Sequence, residues 1–98
     1  MEEILLIGDD ESVLPEMRNV IEKNFPHEAL IATNYDEAIK ILNEAQIELI
    51  ISCAGMKFTF AFKILALLAE EEEFREIPFM TSTPDKILEL IDKINQLE

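Results

Sequence analysis

The feature that most constrains the fold is a regular alternation of short apolar runs with longer amphipathic segments. Four apolar runs of strand length lie at residues 4–7, 29–33, 47–52 and 77–81, and apolar residues recur every three or four positions after each run. Strands that alternate with helices build a mostly parallel sheet with helices on both faces. The sequence therefore predicts an α/β protein, a three-layer α/β/α sandwich in the order β-α-β-α-β-α-β-α.

Capping residues and prolines mark the ends of the predicted helices. Ser12 is suited to cap the first helix, and Pro26 ends it because the residue before a proline avoids the helical conformation. Asn34 is suited to cap the second helix, which has an acidic first turn. The third helix is predicted over residues 58–69, and the last is predicted to open at residues 83–85.

Size and charge limit what this chain can do. We predict one domain over residues 1–98, because 98 residues with 49% hydrophobic content suit one core and contain no linker or repeat. No apolar run approaches the roughly 18 residues of a membrane span. The net charge of −13 argues against nucleic acid and anionic membranes as partners. It leaves two alternatives: steering toward a protein partner with a basic surface, or solubility alone.

The predicted compartment is the cytoplasm. The acidic residues Glu2 and Glu3 follow Met1, where a signal peptide would be basic. The single cysteine, Cys53, cannot form an intramolecular disulfide, which is typical of a reducing compartment.

Residues able to do chemistry gather where the predicted strands end. Asp9, Asp10 and Glu11 follow the first strand, Cys53 ends the third, and Thr83 follows the fourth. Parallel sheets bind ligands at the carboxyl ends of their strands. We therefore predict an acidic pocket and a thiol on one rim of the sheet.

These residues, in their order and spacing, resemble a response-regulator receiver domain. The matching stretches are residues 4–11, 35–38, 48–51, Met56, and 77–78 followed by Thr83. The resemblance covers most of the chain and implies a flavodoxin-like parallel sheet, here with four strands in the order 2-1-3-4. It also implies that helix four and strand five of the usual fold are missing, because a helix resembling the family's last one directly follows the fourth strand.

The resemblance implies roles for the rim residues. In receivers, an aspartate at the end of the third strand accepts a phosphoryl group from a histidine kinase, and Cys53 holds that position here. Asp9 and Asp10 match the acidic pair that helps to hold Mg²⁺, and the main-chain carbonyl of Gly55 would complete the protein's share of the site. Weak Mg²⁺ binding at these three residues is therefore an expectation of the resemblance.

The fourth strand and the missing elements complete the comparison. Thr83 matches the family's hydroxyl residue that contacts the phosphoryl group, with Ser82 or Thr81 as alternatives if the register shifts. The family's lysine at the end of strand five has no counterpart. Without that lysine, the charge that develops on a phosphoryl group in transfer would not be neutralised.

A thiol at the phosphoacceptor position changes the predicted function. Formation of an acyl phosphate needs a carboxylate nucleophile, which Cys53 lacks, and its acidic neighbours disfavour a thiolate. Packing as a small hydrophobic side chain is one interpretation of Cys53. We predict a receiver-like domain in signal transduction that is not phosphorylated by the usual aspartate route, acts by protein–protein interaction and is not an enzyme.

Other functions stay open at the sequence level. One is a redox or metal sensor that uses Cys53 or the rim formed by Asp9 and Asp10. Another is an enzyme that uses the acidic rim for Mg²⁺-assisted phosphate chemistry, although the sequence contains no glycine-rich phosphate loop.

Aromatic residues near the fourth strand are candidates for an interface. Phe58, Phe60 and Phe62 alternate just after the rim, and Phe79 lies in the fourth strand. If helix four and strand five are missing, the fourth strand is an open edge of the sheet. The aromatic side chains then either fold over this edge or form a surface that binds a partner. Homodimerisation through the strand-four edge is therefore a further expectation.

Overall fold

The computed structural model describes residues 2–9, 13–53 and 56–97, in which strands and helices alternate. The strands are β1 (Glu2–Ile7), β2 (His27–Ala32), β3 (Ile47–Cys53) and β4 (Phe79–Ser82). The helices are α1 (Val13–Asn24), α2 (Tyr35–Glu44), α3 (Phe58–Glu70) and α4 (Ile87–Leu97), with a 3₁₀ turn at Glu72–Phe74. None of the helices in these ranges combines the length and the apolar character that crossing a membrane requires.

The four strands form one parallel sheet in the order β2-β1-β3-β4. The first strand is central: Leu5 is in register with Leu30 of β2 on one side and with Ile50 of β3 on the other. Strands in the middle of a parallel sheet are covered on both faces, so they carry continuous apolar runs. The α/β class and the 2-1-3-4 order predicted from the sequence are confirmed.

Side chains that alternate along the strands belong to two hydrophobic clusters, one on each face of the sheet. Leu6 and Ile51 belong to the cluster packed beneath α1 and α4, and Leu5 and Ile50 belong to the cluster packed beneath α2 and α3. The helices contribute Leu14, Met17 and Ile21 from α1, Ile87 and Ile91 from α4, Ala38 and Leu42 from α2, and Phe60, Ile64 and Leu68 from α3. Full burial of a leucine or isoleucine is worth about 1.5–3 kcal/mol, so the two clusters hold the three layers together.

Both strands of the β1–β2 pair begin earlier than the apolar pattern predicts. The main chains of Glu2 and Glu3 pair with His27 and Glu28, so strand pairing extends through polar residues. The second strand also ends one residue early. Thr33 leaves the strand, and its main-chain N–H and its hydroxyl both donate to Glu37 Oε1 at 2.7 Å.

The fourth strand and the last helix both begin a few residues later in the chain than the sequence predicts. The main-chain N–H of Ile77 bonds to the carbonyl of Phe74 in the preceding turn, so the strand begins at Phe79 instead of at residue 77. It continues to Ser82, which is in register with Cys53. The helix begins at Ile87, because a turn in which the N–H of Lys86 bonds to the carbonyl of Thr83 precedes it.

The start of α2 is held by hydrogen bonds that link Glu37 to both Asn34 and Thr33. Asn34 caps the helix as predicted, and its side-chain oxygen accepts from the main-chain N–H of Glu37 at 2.9 Å. Glu37 in turn accepts both hydrogen bonds from Thr33. These bonds favour the ionised carboxylate, and the main-chain bond, followed by the hydroxyl bond, holds the pKa of Glu37 below its ordinary value of 4.5.

This lowered pKa predicts an acid-dependent loss of stability at α2. A carboxyl group with a depressed folded-state pKa contributes stability above its unfolded pKa, and that contribution is lost as the pH falls through the folded value. We expect the difference in stability between wild type and Glu37→Gln to be constant above pH 4.5 and to shrink below it. Urea titrations at several pH values would measure this difference. A difference that stays constant as the pH falls well below 4.5 would contradict this prediction.

Candidate functional site

Cys53 lies at the carboxyl end of β3, but its side chain is packed into the core. Only 8% of the residue is exposed, and it belongs to the cluster beneath α1 and α4. A Cβ atom added to Gly8 would come within 3.0 Å of the Cβ of Cys53 and 3.3 Å of Leu14 Cδ2. Glycine at position 8 therefore lets the main chain after β1 pass close to the Cβ of Cys53.

Asp9, the first acidic residue of the rim, contacts the start of α3. Its Oδ2 accepts a hydrogen bond of 2.6 Å from the main-chain N–H of Lys57. Lys57 is the N-cap residue of α3 and its own side chain makes no capping bond, while its carbonyl accepts from the N–H of Ala61 at 3.2 Å. A carboxylate is favoured at a helix N-terminus by the unpaired N–H groups and by the helix dipole. Asp9 thus acts as a distant cap that joins the end of β1 to α3.

Removal of this cap should loosen the first turn of α3. We expect Asp9→Ala to lower the free energy of unfolding by about 1 kcal/mol, and Asp9→Asn to lower it less because the amide oxygen still accepts a hydrogen bond. Urea unfolding would measure the loss, and amide hydrogen exchange at residues 57–60 would locate it. Asp92→Ala removes the same charge from an exposed site on α4 and should leave both readouts unchanged.

The rest of the predicted acidic and metal-binding set lies outside the described residues. Asp10, Glu11 and Gly55 are in this position, so Asp9 is the only one of the three expected Mg²⁺ ligands whose surroundings are described. The described residues bring together no group of three or more His, Cys, Asp or Glu side chains that could hold a metal ion. Magnesium binding stays a prediction of the sequence.

Three residues were candidates for the hydroxyl that contacts a phosphoryl group in receivers, and Ser82 is the one in register with Cys53. Ser82 is buried and ends β4, and Thr83 follows the strand and is half-buried. Thr81 is exposed, and its hydroxyl lies 2.8 Å from the hydroxyl of Ser52 on β3. The role predicted for Thr83 is not tested by this geometry.

Ser52 is a buried polar residue that sequence reasoning missed. It is 3% exposed, and its hydroxyl donates to the carbonyl of Met80 at 3.3 Å while it can accept from the hydroxyl of Thr81. A buried hydroxyl needs such partners, because an unpaired one would destabilise the fold. The only sequence signal for this contact is the run of hydroxyl residues at 81–83.

A polar cleft opens at the same end of the sheet, but on the α2 and α3 side. Its volume is about 360 Å³, and its lining includes Asp9, Tyr35, Asp36 and Lys63. The ammonium group of Lys63 lies 5.8 Å from the centre of the Tyr35 ring, within the range of a cation–π contact. Cys53 belongs to the cluster on the opposite face of the sheet, so the structure does not place the thiol and the polar cleft in one pocket.

The aromatic interface candidates do not form one surface, which corrects the sequence interpretation. Residues two apart on an α-helix point about 200° away from each other, so Phe60 and Phe62 face different directions. Phe60 is 8% exposed and belongs to the core beneath α2 and α3, whereas Phe62 is 59% exposed. Phe79 is half-buried against the same core, and the side chain of Phe58 lies outside the described residues. The burial of Phe60 therefore contradicts its prediction as an interface residue.

Comparison by sequence finds no match for the chain. No protein-family model matches it, and no curated protein sequence matches it either.

Comparison by structure finds response regulators. The chemotaxis response regulator CheY4 of Vibrio cholerae superposes with a TM-score of 0.79 at 14% identity, over 96% of this chain and 98% of that one. The bacteriophytochrome response regulator AtBRR gives 0.69 at 20% identity, over 97% and 76% of the two chains. The phosphorylated cyanobacterial phytochrome response regulator RcpA gives 0.66 at 17% identity, over 93% and 74%. At these identities the comparison shows a shared fold, the flavodoxin-like fold of CheY-like receiver domains.

Proposed function

We propose that this chain is a receiver-like signalling module that works by contact with other proteins and takes up no phosphoryl group at the end of β3. The observation that carries the proposal is the position and packing of Cys53. Cys53 ends the third strand, the position that the resemblance to receivers gives to the phosphoacceptor, and it belongs to an apolar cluster.

The chemistry of the rim supports this proposal. A thiol cannot form the acyl phosphate of an aspartate-based switch. Cys53 is also only 8% exposed and packs in the cluster beneath α1 and α4, so little of it is open to a phosphoryl donor. The carboxylate of Asp9 is already engaged by the main chain of Lys57, a contact that serves the structure of α3.

Charge supports a protein partner with a basic surface. The net charge of −13 on 98 residues creates a long-range negative field, which speeds encounter with a basic patch and repels nucleic acid and anionic lipid. The proposed module has no catalytic activity of its own, and the reducing cytoplasm stays its predicted compartment. Partner binding should weaken as salt is raised, because screening shortens the reach of this field.

Phosphotransfer is tested directly with a small-molecule donor. The protein is incubated with acetyl phosphate and Mg²⁺, and its intact mass is measured before and after. We expect no gain of a phosphoryl group, while a receiver domain with an aspartate at the end of its third strand, treated in parallel, should gain one. A phosphoryl adduct on this chain would overturn the proposal, and peptide mapping would identify the residue that carries it.

The alternative of a redox sensor at Cys53 is tested by thiol accessibility. Sensor cysteines are accessible and have thiolate character, whereas the 8% exposure of Cys53 favours a packed side chain. We expect a thiol reagent to label the native protein far more slowly than the protein unfolded in urea. Equal rates in the two states would support the sensor instead.

A further inference from the structure

The fourth strand has an open edge whose direction can be derived from its hydrogen bonds. β4 is the last strand in the sheet order, so among the described residues it pairs only with β3. The N–H of Ile50 bonds to the carbonyl of Pro78 at 2.9 Å. Because main-chain groups of a strand alternate in direction, Met80 and Ser82 also point toward β3. The N–H and carbonyl groups of Phe79 and Thr81 therefore point to the open side.

We propose that two copies of this chain pair through this edge as an antiparallel strand dimer centred on Met80. In this register Phe79 of one copy lies opposite Thr81 of the other, and the same pair recurs on the far side of the two-fold axis. Each pair exchanges two hydrogen bonds, so all four outward groups of each copy are satisfied. The edge is thus complementary to itself, which favours a second copy over an unrelated strand.

The side chains along the edge also suit this pairing. Residues 79–82 of β4 carry no charge, whereas charged side chains are a common means of protecting edge strands. Phe79 is half-buried, and a strand added beside it would cover more of its ring. Pro78, which lacks an N–H, points toward β3 and does not interrupt the proposed hydrogen bonds.

A groove on one face of the sheet and an exposed leucine on the other border the edge at which the second strand would add. On one face, a groove of about 360 Å³ runs between the end of β4 and α4, and the exposed Pro78 of the second copy would lie beside it. On the other face, Lys63 marks the α2 side of α3 through its contact with Tyr35. Leu65 lies about 200° round the helix from Lys63, so this 48% exposed side chain borders the β4 side.

The charge distribution permits association at this edge despite the negative charge of the chain. The charged residues that line the groove beside β4 are Lys86, Glu89 and Lys93, a mixed set with two cations. Long-range repulsion between two chains of −13 remains, and salt screens it. The dimer should therefore become stronger as the salt concentration rises, the opposite of the trend expected for a basic partner.

Mutation of Thr81 tests whether the edge carries the association. Thr81→Pro removes an N–H that β3 does not use, and Thr81→Val keeps this N–H but loses the hydroxyl contact with Ser52. Analytical ultracentrifugation should show a concentration-dependent dimer for wild type and for Thr81→Val. For Thr81→Pro we expect a dissociation constant about tenfold higher or more. A wild-type protein that stays monomeric up to about 1 mM at high salt would overturn the proposal.

Disulfide trapping tests the register and does not depend on how well the proline variant folds. In a Cys53→Ala background, Met80→Cys places two thiols opposite each other at a pair whose Cα atoms are about 4.5 Å apart, which suits a disulfide. Thr81→Cys is the matched control, because position 81 faces position 79 of the other copy. We expect oxidation to cross-link the first variant and not the second. Cross-linking of the second alone, or of neither, would contradict the register. Neither result bears on phosphotransfer, so this proposal and the proposed function fail independently.

Discussion

Cys53→Asp is expected to destabilise the protein by about 3 kcal/mol at neutral pH and to leave it without phosphotransfer activity. The substitution puts a carboxylate into a site that is 8% exposed and lined by apolar side chains. Burial of a charged group is among the few causes of large single-residue losses of stability. An aspartate, which the resemblance to receivers would place here, thus conflicts with the burial of this position.

Urea unfolding of the variant at neutral and acidic pH would measure this effect. The loss should diminish as the pH falls, because the neutral carboxylic acid is buried at a smaller cost than the ion. Cys53→Ala is the control, and it should cost about 1 kcal/mol at every pH, because it removes only the small thiol group. An aspartate variant as stable as wild type that also takes up a phosphoryl group would show that the rim keeps a functional phosphorylation pocket.

Ile91→Ala is expected to lower the free energy of unfolding by about 2–4 kcal/mol. Ile91 lies on α4, is 1% exposed and belongs to the cluster shared with α1 and β3. Truncation of a fully buried isoleucine loses its transfer free energy and leaves a cavity. A loss of this size in a domain of 98 residues is a large part of its total stability.

Leu88→Ala provides the matched control on the same helix. Leu88 is 41% exposed, so its truncation should cost less than about 1 kcal/mol. Urea unfolding of both variants would separate packing of α4 from its helix propensity, since both changes introduce alanine. Equal losses would contradict the placement of α4 against the sheet.

The order of the elements could be predicted because the apolar residues of the core recur in the sequence with the periods of strands and helices. Strands buried on both faces, such as residues 4–7 and 49–51, are unbroken apolar runs, and amphipathic helices repeat every three or four residues. Strand ends were predicted less well. Pairing at Glu2 and His27 is made by main-chain groups, which side-chain hydrophobicity does not reveal.

The site was predicted as a set of positions but not as a set of contacts. Cys53 and Asp9 lie at strand ends as expected, yet the role of Asp9 depends on Lys57, which is 48 residues away along the chain. No local pattern encodes a contact of that range. For the aromatics, the sequence left two alternatives, a cover for the sheet and a partner surface. The structure divides them, because alternate residues of a helix diverge and Phe60 is buried while Phe62 is exposed.

The position of α4 has a consequence for how the protein folds while it is being synthesised. The cluster beneath α2 and α3 is complete once the chain has emerged as far as Phe74, apart from its half-buried neighbours Ile77 and Phe79. The opposite cluster needs Ile87 and Ile91, which are synthesised later. Until α4 docks, one face of the nascent sheet is covered by α1 alone, so we expect the docking of α4 to end the interval in which that face can aggregate.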